Sequence, residues 1–135
     1  MMTLAEKLLA LHAVPPFSAL RSEELLTIAA AMAVHRFKPG HLICEEGGVI
    51  NRLYVRVSGS AVGPDGTEMQ PVVGTTILLT GKAAPFAITA GPEGYLALSL
   101  PRGKFFTVIN ECPLLLAGFF RMPLLGVDYS GETRS

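Results

Sequence analysis

Apolar positions fall at helical spacing in two short stretches at the start of the chain. Leu4, Leu8 and Leu11 recur three and four residues apart behind Thr3-Leu-Ala-Glu6, which has capping-box form. Pro15-Pro16 ends that pattern, because proline cannot continue a helix. Ser22 then offers an N-cap, and Glu23 and Glu24 occupy the first turn, where carboxylates suit the helix dipole. Leu25, Ile28, Ala29 and Met32 form one apolar face, so the spacing predicts a second helix to about Ala33.

From Val34 the period changes from helical to alternating. Val34 to Phe37, the Pro39-Gly40 turn and His41 to Cys44 read as strand, turn and strand, with a further bend at Glu46-Gly47-Gly48. Leu53, Val55 and Val57 alternate with Arg52, Tyr54 and Arg56, the pattern of a half-buried strand ended by Ser58-Gly59. In Gly63-Pro-Asp-Gly66 the proline sets the first corner of a hairpin turn and Gly66 takes the left-handed position. Further strands are predicted at Phe86 to Ala90 and at Tyr95 to Leu100. Many short strands with turns every 8–12 residues imply an antiparallel roll or barrel. Helix returns after Pro101, a residue suited to a first helical position. Phe105, Val108 and Ile109 share a face, Cys112-Pro113 interrupts, and Leu114 to Phe120 resumes. The expected plan is one domain over residues 1–127: a helical lead-in (1–33), a β-roll (34–100) and C-terminal helices (101–121). A polar tail (128–135) follows.

Composition narrows the function classes. The 135 residues carry 11 Lys+Arg against 11 Asp+Glu, so no basic excess exists to neutralise phosphates, and nucleic-acid binding by bulk charge is disfavoured. Hydrophobic residues reach 50%, enough to offset the ordering cost that keeps charged chains disordered. Charged residues are 16%, below the roughly 25% of an average soluble domain, which leaves apolar surface for an oligomer or partner face. Cys44 and Cys112 are too few for a disulfide scaffold and match no zinc or redox spacing, so both read as small buried hydrophobes. The apolar run Pro113 to Val127 is shorter than the ~20 residues of a membrane span and contains Arg121 and Pro123. With no convincing secretory signal, the expected location is cytoplasmic.

Phe37-Lys-Pro-Gly40-His-Leu-Ile-Cys-Glu-Glu46-Gly47, continuing through Leu53-Tyr54-Val-Arg-Val-Ser58-Gly59-Ser60, resembles the opening β-roll of the cyclic-nucleotide-binding domain family. That family includes catabolite-activator-type regulators, regulatory subunits of protein kinase A and gated channels. Pro16-Phe17-Ser-Ala-Leu20 looks like its helical lead-in, and Leu98-Ser-Leu-Pro-Arg102-Gly-Lys-Phe105 with Glu111-Cys-Pro113 resembles its following helix. The resemblance spans roughly residues 14–121 and implies an antiparallel, jelly-roll-like β-roll with flanking helices.

It also implies where a ligand would bind. The family's phosphate-binding cassette joins two strands through a short helix, an Arg neutralises the cyclic phosphate, and a Glu holds the ribose 2′-hydroxyl. Here the cassette aligns onto residues 73–90, keeping Gly74 and Leu78-Leu79. The ribose Glu position holds Thr75 and the phosphate Arg position holds Ala84. Each lost hydrogen bond to a charged group costs ~1.5–3 kcal/mol, so the two together would weaken cAMP binding by roughly two to four orders of magnitude. Lys82 is the nearest cation, and Ala84, Pro85 and Phe86 would make the former phosphate corner apolar. The candidate site, a degenerate cassette, is therefore Gly74, Thr75, Thr76, Lys82, Ala84, Pro85 and Phe86; Thr75 and Thr76 serve either as anion donors or as helix N-caps. Only Thr67 to Val72 separate the Asp65-Gly66 turn from the cassette, so either the strands are short or the pocket mouth is open.

Three functional readings follow. The leading one is a non-catalytic regulatory module with cAMP and cGMP recognition weakened or lost, and no cofactor. The second is a working cyclic-nucleotide sensor that uses backbone amides and Lys82. The third, a cupin-like metal site, would need His35 and His41 with Glu45 or Glu46, although these histidines lie six residues apart. Leu114 to Leu125 either covers the roll through Phe119, Phe120 and Leu124 or forms a homodimer or partner surface. The break at Pro123 leaves no expectation of a helix-turn-helix.

Overall fold

The computed structural model describes residues 2–121, with the side chains of Thr76, Leu116, Phe120 and Arg121 outside that description. The N-terminal capping box forms as its sequence implies. The Thr3 amide donates to Glu6 Oε1 at 2.8 Å and the Glu6 amide donates to Thr3 Oγ1 at 3.1 Å, opening α1 (Leu4–His12). A 3-10 turn over Phe17–Ala19 then sinks Phe17 into the core. In α2 (Ser22–Ala31) the cap is Arg21 rather than Ser22, because Glu24 reaches back to accept from the Arg21 amide at 3.1 Å. The helix also stops short of Ala33, which is already paired with Ser99 as the first residue of a strand.

Five antiparallel strands follow: β1 (Ala33–Phe37), β2 (Leu42–Cys44), β3 (Arg52–Val62), β4 (Val72–Val73) and β5 (Ile88–Pro101). Their order is β1-β5-β3-β4, with β2 also on β5, in a sheet that is not closed into a barrel. Ser58-Gly59 does not end its strand, as the sequence pattern had implied. The register slips there and β3 runs on to Val62, because Gly59 at φ +71° lets the chain bend over Gly94. The two strands expected at 86–90 and 95–100 are likewise one bent β5, turning through Gly91 and Gly94. The start of β5 pairs with β2 and the end of β3, and its remainder pairs with β1 and the start of β3. Two long bent strands thus build both leaves of the roll. The 64–66 turn forms with Gly66 at φ +73°, and β4 is only two residues long, so the strands before the cassette are indeed short.

The two faces of β3 define two cores. Leu53 and Val55 pack with Leu98, Leu100, Leu25 and Phe105 beneath the helices. Tyr54 was expected on a solvated face, yet it is buried in a second core with Ile50, Val73, Ile77, Ala84 and Tyr95. β4 on one edge, β5 on the other and the second core over Tyr54 leave residues 53–55 of β3 no wet face. Pro101 caps α4 (Arg102–Glu111) from outside rather than opening it, and Phe105, Val108 and Ile109 are buried as one face. Cys112 ends α4, and α5 (Pro113–Arg121) begins at once. Phe119 is inserted between Phe17 and Phe105, each ring 5.8 Å away, so it belongs to the helical core. Leu114 stays 65% exposed, while Phe120's side chain, Leu124 and the 128–135 tail lie outside the described residues.

Candidate functional site

Residues 73–90, onto which the resemblance sets the cassette, form the end of β4, α3 (Thr75–Thr80) and the loop into β5. Gly74 turns the chain at φ +103°, where a Cβ would lie 3.0 Å from the Arg52 carbonyl oxygen and 3.3 Å from Ile50 Cγ2. Gly81, at φ +74°, ends the helix and donates to the Ile77 carbonyl at 2.7 Å. Lys82 follows on the exposed loop, its amide donating to Thr80 Oγ1 at 3.2 Å. Ala84 is only 2% exposed. Its amide donates to the Gly48 carbonyl at 2.7 Å and its carbonyl accepts from Gly47 at 2.8 Å, so two backbone bonds pin the loop to the bend before β3. The Phe86 ring lies against Gly63, with Cε1 3.0 Å from where a Cβ would stand, and Met69 Sδ closes over the same point at 3.6 Å. Pro85 is half-buried beside them. The corner that the alignment assigns to a phosphate is therefore packed with apolar side chains.

Thr75 does not cap α3 by its side chain. The cap is Gly74, which has none, and Thr75 is already the first helical residue; Thr76 lies in the helix, its side chain outside the description. Thr75 is 9% exposed, and its Oγ1 is buried with no hydrogen-bond partner among the described residues. A buried, unmade hydroxyl bond costs ~1–3 kcal/mol, and valine has the same shape without it. Thr75→Val is expected to raise the melting temperature by about 3–5 °C in a thermal melt.

The histidines do not converge. His35 stacks on Phe37 (centroids 6.1 Å) and meets Tyr54 edge-on (5.9 Å), whereas His41 is exposed. Burial, then the nearby Arg52 charge, holds the His35 pKa below its usual value. Among the described residues no three His, Cys, Asp or Glu side chains gather as a metal site. Cys44 is buried and Cys112 half-buried; both thiols are free and pushed up in pKa, mainly by burial.

The sequence pattern did not single out a cleft of about 310 Å³ between β2 and β3. Cys44, Glu45, Ile50, Asn51, Arg52 and Tyr54 line it. Its one signal was a pair of strand positions, Arg52 and Tyr54, opposite the leucine face, and these read equally well as solvated.

This architecture is the cyclic-nucleotide-binding β-roll: helical lead-in, bent antiparallel strands, cassette helix and covering helices. Solved structures that share it include regulatory subunits of protein kinase A. The regulatory subunit of a cAMP-independent protein kinase A from Trypanosoma brucei superposes with a TM-score of 0.78 at 23% identity, over 96% of this chain and 49% of that one. A triple variant of that subunit, bound to cAMP in the A site, gives 0.78 at 20% identity, over 98% and 53%. The regulatory domain of Toxoplasma gondii protein kinase A with cAMP gives 0.67 at 20% identity, over 80% and 45%. The chain thus spans about half the length of the solved structures it matches. No family model and no curated protein matches it. No helix among the described residues is long and apolar enough to cross a membrane.

Proposed function

We propose that the chain is a non-catalytic regulatory module of cyclic-nucleotide-binding type whose cassette has lost ordinary cAMP and cGMP recognition. One observation carries this reading: Ala84, at the aligned phosphate-arginine position, is sealed into the core and clipped to Gly47 and Gly48. Anion capture in a partly buried site relies on charge-assisted bonds, and a methyl group supplies none. Thr75, at the ribose-carboxylate position, is buried and uncharged, and Lys82 lies on the exposed loop beyond α3. The Trypanosoma brucei subunit described as cAMP-independent fits the same logic, since its cAMP-bound form carries an introduced arginine among three substitutions. Signal output would pass to a protein partner or a second copy of the chain through α5 and the residues after it, where Leu114 is exposed.

A ligand present at a hundred times its dissociation constant stabilises a fold by ~2.7 kcal/mol, about 10 °C in a domain of this size. Millimolar cAMP and cGMP are each expected to move the melting temperature by less than ~1 °C. A rise of several degrees that disappears in Lys82→Ala would overturn the proposal and establish the sensor that grips its phosphate through Lys82.

A further inference from the structure

We propose that the cleft between β2 and β3 is a second ligand site, taking a small metabolite with a single anionic group, a carboxylate or a phosphate, on Arg52. The Arg52 side chain is half-buried, and its Nη1 donates to Ser99 Oγ at 3.3 Å, a neutral partner with no exposure. Ion pairs among the described residues involve Arg21 and Arg56, so none sets a carboxylate against Arg52. A guanidinium has five N–H donors in a planar fork shaped for two oxygens, and partial burial without a counter-charge is costly. The cleft it lines, about 310 Å³, is at the lower end of small-molecule sites.

The surrounding groups favour one anionic group and no more. Asn51 lines the cleft as a neutral donor and acceptor, and burial keeps the Tyr54 hydroxyl and the Cys44 thiol protonated. Glu45 is exposed on the same lining, so a second anionic group would meet repulsion there. The ligand therefore carries one anionic group, and its remainder is uncharged or cationic.

The cleft wall is also tied to the cassette and to α4. Gly47 and Gly48 hold Ala84, Gly74 packs on Ile50 and on the Arg52 carbonyl, and the Arg102 amide donates to the Asn51 carbonyl at 2.8 Å. Occupancy at Arg52 would thus be felt by both elements through a single loop. This site stands apart from the cassette, so the cAMP result neither supports nor removes it.

The test is an amide and guanidinium nuclear magnetic resonance titration of the whole chain with inorganic phosphate and, separately, acetate. Expected are saturable shifts at Arg52 Nε–H, the Asn51 side-chain amide and the 48–52 backbone, with the saturating ion naming the anion class. Affinity should fall at least tenfold in Arg52→Gln and hold in Arg36→Gln, an exposed charge of the same sign. Should Arg52→Gln not fold, the wild-type shift map alone decides. Non-saturating shifts spread over Arg21, Arg36 and Lys38, or an undiminished response in Arg52→Gln, would overturn the site.

Discussion

Ala84→Arg is expected to lower the melting temperature by about 10–15 °C, a loss of roughly 3–4 kcal/mol. The residue is 2% exposed, its side chain belongs to the inner core, and its backbone is held on both sides by Gly47 and Gly48. A guanidinium placed there must either be buried without a counter-charge or tear the loop from the β2–β3 bend. Ala83, one residue earlier, is exposed, so Ala83→Arg is expected to stay within ~2 °C of wild type. The pair of melts separates position from chemistry. Combining Ala84→Arg with Thr75→Glu restores both charges of the aligned cassette. Millimolar cAMP should then recover several degrees of the loss, as a ligand that supplies the missing counter-charge stabilises the folded state. An Ala84→Arg chain that melts like wild type would mean the corner is open, and the sealed-cassette reading would fail.

Gly59→Ala is expected to be the most damaging change of a single atom, about 3–5 kcal/mol by urea denaturation. Two effects add. The residue sits at φ +71°, a conformation that costs an L-residue ~1 kcal/mol or more, and its Cβ would run into the Gly94 carbonyl, with Gly94 C at 2.8 Å and Tyr95 Cα at 3.2 Å. Both obstacles are backbone of β5, the strand that joins the two leaves, so neither can step aside without breaking the register. Gly40→Ala isolates the first effect, because Gly40 has φ +77° and nothing within 4 Å of its Cβ. It is expected to cost only about 1 kcal/mol. Similar losses at the two positions would mean that the bend over Gly94 is softer than the packing implies.

Much of the site's scaffold was legible before any coordinates. Gly74 precedes the short helix expected between two strands, and of the two outcomes open for the short link after Gly66, shortened strands appear as a two-residue β4. What the reading missed were relations between distant segments. Thr75 could not be assigned as cap or as buried hydroxyl without knowing that Gly74 makes the turn against Arg52 and Ile50. Arg52 looked solvated because alternation reports only that one face of β3 is apolar.

The sequence by itself determined the local grammar of this protein. Thr3 and Glu6 cap a helix with each other, Pro15-Pro16 and Cys112-Pro113 interrupt helices, and alternation starts β3 at Arg52, because each depends on groups within a few residues. Only the tertiary structure decided that Ser58-Gly59 is a bend, that Tyr54 is buried and that Ala84 is closed off. The space at Gly59 is set by Gly94, the cover on Tyr54 by the second core, and the seal on Ala84 by Gly47 and Gly48. Those partners lie roughly 20–40 residues away, beyond the reach of any periodicity, and they come into contact only once the chain has collapsed.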